Sequence, residues 1–401
     1  MKNNKPKIGL ALAGGGIAGG IYEIGALRAI EEAIDGLDFQ ETVTFVGVSA
    51  GSFIASCMAN GITTAVLCRS ILEAEHGDPA FKPDLFFTPA YGRILKKGLS
   101  IPSLTANAIY DYLAKPKDVT LLKSVLRLTR AIPGGLFSND PLRHYLEKMF
   151  SIEGRTDRFD ELKRKLYIVS ADLDSGEAVV FGQEGYDHVP ISKAVQASSA
   201  LPGIYPPIEI DGRYYVDGVL LKTMHASVAL KDEVDIVICI NPIVPVNTLN
   251  SVELGYMKRG YLVDRGLVAI LSQTLRTLVH SRMVMGFNRY EKRFDGQDVI
   301  LFEPERDDYR MFFTNIFSFS ARKYICEHAY SQTLKYFRDH QTELEAKLVK
   351  NGLKINKRII HDESRNLWES VGMIKSRPRH PWSQNLCSTL EKLEDTVHEM
   401  V

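Results

Sequence analysis

From Ile8 to Ala13 the chain is almost continuously apolar, and the run breaks directly into Gly14, Gly15 and Gly16. An apolar run ended by glycines reads as a buried strand entering a tight loop. Beyond it Ile17, Ile21, Ile24, Leu27, Ile30 and Ile34 recur at spacings of three and four that predict a helix. Thr42 to Val48 predicts a second strand, and Ala50 to Met58 a second helix closed by Asn60-Gly61. A strand-helix-strand-helix opening favours a parallel sheet covered on both faces.

Residues 76–140 lose this regularity, because Pro79, Pro83, Pro89, Pro102, Pro116 and Pro133 divide short apolar pieces. This stretch is expected to be a helical insertion. Leu166 to Ala171 and Ala178 to Phe181 flank an Asp174-Ser175-Gly176 turn and predict a hairpin. Further strands are expected at Arg213 to Val216, Val234 to Ile240 and Val299 to Phe302. Helical periodicity returns from Asp264 to Met285 and from Ala321 to Leu348. In the tail, Leu386, Leu390, Leu393 and Val397 share one helical face, over too few heptads for a coiled coil. Docking of this tail on its own domain is the default expectation.

With 45% hydrophobic and 24% charged residues in 401, the chain has the composition of a globular protein, not of a disordered or fibrous one. Its 49 basic and 49 acidic side chains cancel, so no overall field gathers a polyanion and a nucleic-acid specialist is disfavoured. Cys57, Cys68, Cys239, Cys326 and Cys387 form no C-x-x-C pair, which argues against a zinc site or disulfide framework and for buried thiols in a reducing compartment. The sequence shows no secretory cleavage pattern and no apolar run long enough to span a membrane. A cytoplasmic protein, with peripheral membrane contact as an accompanying option, is expected.

Three motifs carry candidate chemistry. Gly14-Gly15-Gly16-Ile17-Ala18-Gly19 is a G-x-G-x-x-G between a strand and a helix, where glycines admit close backbone approach and the helix start offers free N–H groups. A dinucleotide fingerprint would end the next strand in an acid to hold a ribose; here that strand ends at Ser49. Gly47-Val48-Ser49-Ala50-Gly51 is a G-x-S-x-G, whose serine in a sharp strand-to-helix turn projects its hydroxyl above the sheet. The duller alternative is a small-residue turn with a capping serine. Tyr214-Tyr215-Val216-Asp217-Gly218 puts a carboxylate at a strand end, though an Asp-Gly pair is commonly only a turn. His225, His280, His328 and His361 lie in no recognisable catalytic setting.

Together with Ala197-Ser198-Ser199-Ala200-Leu201-Pro202 and Pro206-Pro207, these motifs resemble the patatin-like phospholipases in order and spacing. The resemblance runs from about Lys7 to His225 and continues less specifically to about residue 350. It implies a three-layer α/β/α fold with a mainly parallel central sheet, a helical insertion and a helical C-terminal extension. It implies a domain over 7–350, with the motif-bearing core at 7–225, and a tail over 351–401. It implies a lipid acyl hydrolase of the phospholipase A or lysophospholipase kind, with Ser49 as nucleophile and Asp217 as general base. The oxyanion hole would come from Gly14, Gly15, Gly16 and Ala50, with Gly19, Gly47, Gly51 and Gly218 shaping the loops. No cofactor and no metal are implied, and no nucleic-acid partner; a lipid ester or phospholipid is. The sequence departs from the family pattern at Ala18, where Arg or Lys is common, and at Val219, where Gly or Ala is. A weakly active membrane-bound scaffold, an acyltransferase and a nucleotide-binding module are the alternatives.

Two segments are candidates for meeting lipid. Lys258 to Arg293 holds eight Lys/Arg against Asp264 and Glu291, with Leu267, Leu271, Leu275, Leu278 and Val279 marking one apolar face. Such a stretch lies on an anionic membrane surface or packs its apolar face on the sheet. Phe81, Phe86, Phe87 and Tyr91 are the second candidate, as a lid or acyl-chain wall, or as plain core aromatics.

Overall fold

A computed structural model describes residues 5–72, 88–89, 134–253, 261–308 and 319–373. Its principal sheet comprises β1 (Ile8–Leu12), β2 (Thr44–Val48), β3 (Lys165–Asp172), β4 (Ala178–Phe181), β5 (Ile208–Ile210), β6 (Arg213–Asp217), β7 (Ile236–Ile240) and β8 (Asp298–Phe302). The order is β8-β7-β1-β2-β3-β6-β5, with β4 also on β3. The five strands from β8 to β3 are mutually parallel. β4 and β6 run antiparallel to β3, and β5 antiparallel to β6.

Alternation along these strands creates the layers. Leu10, Leu12, Phe45, Ile168, Ile238 and Phe302 enter one hydrophobic cluster, while Ala11, Val46, Val48, Val169, Val237 and Cys239 enter a second. Successive side chains point to opposite faces, so a strand that is apolar at every position must be covered twice. The first face carries α1 (Gly16–Ala33), α2 (Ala50–Ala59), α3 (Thr64–Leu72) and α8 (Phe319–Asp339). The second carries α6 (Ala226–Leu230) and the inner side of α7 (Gly266–Arg293). The result is an α/β fold with helices on both sides of a mixed, mostly parallel sheet.

α1 and α8 approach closely because Gly25 has no side chain: a Cβ there would lie 2.2 Å from the Cys326 carbonyl oxygen. The periodicity expected as one helix from Ala321 to Leu348 is interrupted at His340, where the backbone leaves helical geometry before α9 (Gln341–Lys350) begins. Residues 354–355 pair with 34–35, and Arg28 of α1 bonds Ser370, so this segment packs on the first layer. Cys57, Cys68, Cys239 and Cys326 are buried free thiols. Among the described residues no helix is long and apolar enough to cross a membrane. Phe81, Phe86, Phe87, Tyr91, Cys387 and the expected tail helix lie outside the described residues, as does the expected insertion apart from 88–89 and its last residues from 134.

Two topological details place the site. The chain passes from β1 to β2 on one side and returns later to β7 on the other, so the carboxyl end of β1 lies at a switch point, where open α/β sheets leave a crevice. In addition, β3 outruns β2. Its residues 165–169 pair with β2, whereas 170–172 pair with β6, which fills the vacated edge. The last residue of β6, Asp217, is thereby set beside the residue that follows β2, Ser49.

Candidate active site

Ser49 occupies a strained elbow between β2 and α2, with φ 52° and ψ −122°. A non-glycine residue held at positive φ costs about 1–3 kcal/mol and persists only where its surroundings fix it. Those surroundings are identifiable. A Cβ at Gly47 would stand 2.4 Å from Ser52 Cα, and one at Gly51 would stand 2.5 Å from the Ala13 oxygen. Only glycine allows the turn to close this tightly. Gly51 N–H donates to Ala13 O at 3.1 Å, which ties the elbow to the glycine loop.

The Ser49 N–H donates to Ser198 Oγ at 2.8 Å, and Ser198 donates onward to Val169 O at 2.7 Å. Ser198, the last residue of α5 (Ile191–Ser198), thus links the elbow to β3. It lies in the small-residue run that carried the family resemblance, yet nothing local in the sequence distinguishes it from Ser199.

The Ser49 hydroxyl donates to Asp217 Oδ2 at 2.6 Å, and both residues are buried. The other carboxylate oxygen accepts the Val219 N–H at 2.9 Å, while Asp217 N–H donates to Ala200 O at 3.0 Å. Gly218 is required here, because a Cβ would lie 2.3 Å from Val169 O. Burial pushes the Asp217 carboxyl up to about 7, against the hydrogen bonds from Ser49 and Val219 that favour its charged form. A carboxylate with that proton affinity is matched to proton exchange near neutral pH.

No histidine among the described residues bonds either member of this pair. His225, nearest in sequence, is buried against the Asp217 turn; burial, with Lys222 next to it, pushes its imidazole down to about 3. It is neutral there.

The glycine loop faces the pair from the end of β1. Gly14 N–H donates to Thr223 O at 3.1 Å, so the expectation that Gly14 contributes an oxyanion donor is corrected. Its role is steric: a Cβ would come 3.1 Å from both Ser49 Cβ and Val219 Cγ2. Gly15 and Gly16 open α1, as Ala50 opens α2, and the first N–H groups of a helix have no intrahelical acceptor. Gly16, at φ 61°, needs glycine for its backbone conformation. Pro242, after β7, braces the loop, since a Cβ at Gly15 would lie 2.6 Å from its Cγ. Ala18 packs partly buried against the first helical layer, and Val219 offers its N–H to Asp217 whatever its side chain.

Ser49, Asp217, Gly15, Gly16 and Ala50 line one cavity of about 300 Å³. Its wall is mostly apolar, built from side chains such as Ile17, Phe53, Leu142, Leu201, Ile243 and Val279; Asp217 and Arg276 are the charged residues among the described ones lining it. Such a space suits a hydrocarbon chain with one polar group presented to Ser49; the acid in its wall, Asp217, is already bonded to the Ser49 hydroxyl and the Val219 N–H.

A family model described as patatin-like phospholipase matches residues 10–230, more than half of the chain. The chain belongs to the patatin-like phospholipase family. An uncharacterised NTE family protein of Mycobacterium bovis is 30% identical over 115 residues, covering 26% of this chain and 19% of the relative. The probable lipid hydrolase 463L of invertebrate iridescent virus 6 is 21% identical over 228 residues, covering 55% of this chain and 63% of that protein. The patatin-like chain thus spans about a fifth of the mycobacterial relative. Among solved structures, VipD from Legionella pneumophila aligns at 17% identity and a TM-score of 0.37, over 84% of this chain and 67% of that one. The type III effector ExoU aligns at 19% identity and a TM-score of 0.27, over 48% and 40%.

Proposed function

We propose that this chain is a lipid acyl hydrolase that works through Ser49 and Asp217. The observation that carries the reading is the 2.6 Å hydrogen bond from the Ser49 hydroxyl to a buried carboxylate at the wall of an apolar cavity. Ser49 Oγ attacks the ester carbonyl while Asp217 takes its proton. The tetrahedral oxyanion is held by N–H groups of Gly15, Gly16 and Ala50, each such donor being worth about 3–4 kcal/mol in the transition state. Collapse expels the alcohol, which receives the proton from Asp217, and leaves Ser49 acylated. Asp217 then deprotonates a water that attacks the acyl-enzyme, releasing the fatty acid and restoring the serine.

Phospholipase A or lysophospholipase activity on membrane-derived esters is the form this chemistry would take, with peripheral contact to a lipid surface. The decisive test is fluorophosphonate labelling of wild type and Ser49→Ala, combined with analysis of the lipid products. Wild type should label and release fatty acid; Ser49→Ala should do neither, with an unfolding curve near wild type. Undiminished hydrolysis by purified Ser49→Ala would sink the reading.

A further inference from the structure

The five apolar positions expected to form a single face of α7 do not share one environment. Leu267, Leu271 and Leu278 are 58–68% exposed, whereas Leu275 is half-buried and Val279 is 3% exposed. The division follows from helical geometry. At about 100° per residue, positions 267, 271, 278 and 285 fall within about 40° of one another and form one outward stripe, completed by exposed Met285. A row of i, i+4 neighbours instead drifts by about 40° at each step. The row Leu267, Leu271, Leu275, Val279 therefore turns continuously from solvent into the fold, and its last two members line the cavity that holds Ser49 and Asp217.

The charge along the stripe-bearing span of α7 is all positive; the carboxylate of the helix, Glu291, lies in its last turn. From Arg265 to Tyr290 the sequence contains Arg265, Arg276, Arg282 and Arg289 and no acidic residue; its other polar residues are mainly Ser, Thr, Gln and Asn. A helix facing only water ordinarily mixes both signs of charge with few exposed leucines. Leucines and arginines together, without carboxylates, match an interface whose interior is apolar and whose surface is anionic.

We infer that the outer stripe of α7 docks on an anionic lipid surface, and that Leu275 and Val279, the inner end of the same row, conduct an acyl chain from that surface to Ser49. The inference rests on the hydrolase reading for its second half only; docking stands on the exposed stripe and on the positive charge of the helix that carries it, apart from Arg276, which lines the cavity. Seating the stripe in the lipid interface places the ester-bearing end of a lipid beside the one wall of the cavity that the same helix supplies.

The test is co-flotation of the full chain with vesicles of phosphatidylcholine mixed with phosphatidylserine. The comparison is wild type against a triple variant, Leu267→Ser with Leu271→Ser and Leu278→Ser. None of these three side chains lines the cavity. Wild type should float and should be released by added salt, while the variant should bind at least about tenfold more weakly. Hydrolysis of a short-chain ester dissolved as monomer should be the same in both, and hydrolysis of vesicle lipid should fall in the variant. A second variant, Leu271→Trp, should show an emission blue-shift on adding these vesicles relative to wild type. Equal flotation of triple variant and wild type, or an unshifted Leu271→Trp, overturns the docking surface. So does a wild-type dimer in light scattering that the triple variant dissociates, which would assign the stripe to a second copy of the chain. Absence of ester hydrolysis by wild type would defeat the hydrolase reading while flotation still decides the docking.

Discussion

Replacing Asp217 by asparagine separates chemistry from stability at a single position. Asparagine retains both hydrogen bonds, its Oδ1 accepting from Val219 N–H and its Nδ2 donating to Ser49 Oγ, where the present separations are 2.9 and 2.6 Å. It cannot accept the serine proton, so hydrolysis should fall by about a thousandfold, the middle of the range for a lost general base. Stability should move the other way. Burial lifts the carboxyl from 3.8 to about 7, so between these values the folded chain holds a proton that the unfolded chain has released. The stabilising contribution of this group is complete below about pH 4 and drains away as the pH rises to about 7. At ~1.4 kcal/mol per pH unit, the loss amounts to about 4 kcal/mol. Asparagine does not titrate and escapes it. Urea unfolding across a pH series should therefore show Asp217→Asn equal to wild type near pH 4 and about 4 kcal/mol more stable by about pH 8. Glu303, which burial also pushes up to about 7, titrates in both proteins, so the difference between them isolates Asp217. A difference that stays flat across this range, or a variant less stable than wild type at the alkaline end, would refute the assignment of a desolvated, functionally ionised carboxylate.

The same ionisation should appear in rate: kcat/KM on a monomeric ester should rise with pH through about 7, because the protonated carboxyl cannot take the serine proton. A flat profile between about pH 5 and pH 9 would contradict this. Ser198→Ala removes the acceptor of the buried Ser49 N–H and the hydroxyl that ties it to Val169 O, and should cost about 2–3 kcal/mol in chemical unfolding as well as most of the turnover. Gly25→Ala forces a Cβ to within 2.2 Å of Cys326 O at the α1–α8 crossing; the predicted loss is about 2–4 kcal/mol of stability, and a urea midpoint unchanged from wild type would count against that packing.

Where local pattern and local geometry coincide, the sequence was sufficient. The apolar runs that become β1, β2 and β7, the hairpin of β3 and β4, and the elbow at Ser49 are short-range objects, set by side-chain period and by where glycine is tolerated. The motif order also singled out Ser49 and Asp217 as candidates. Other features were not visible locally. α3 and α5 are short helices whose apolar positions are too few to stand out by period alone, whereas α4 (Asp140–Phe150) does carry Leu142, Leu146, Met149 and Phe150 at helical spacing, directly after the irregular stretch. The His340 break in the expected long C-terminal helix carries neither glycine nor proline.

Sequence by itself determined which chemistry was on offer: a serine in an elbow, a carboxylate at a strand end, and glycines before a helix. Tertiary structure decided what meets. Ser49 and Asp217 are 168 residues apart and come together because β3 outruns β2 and β6 fills the gap. The burial that raises Asp217 to about 7 is a sum over walls drawn from distant segments, as is the split of α7 into an inner cavity wall and an outer apolar stripe. The use of the Gly14 N–H by Thr223 belongs to the same class. Period and turn chemistry act over a few residues and are written along the chain, whereas desolvation and hydrogen-bond satisfaction depend on every segment that folds against a group.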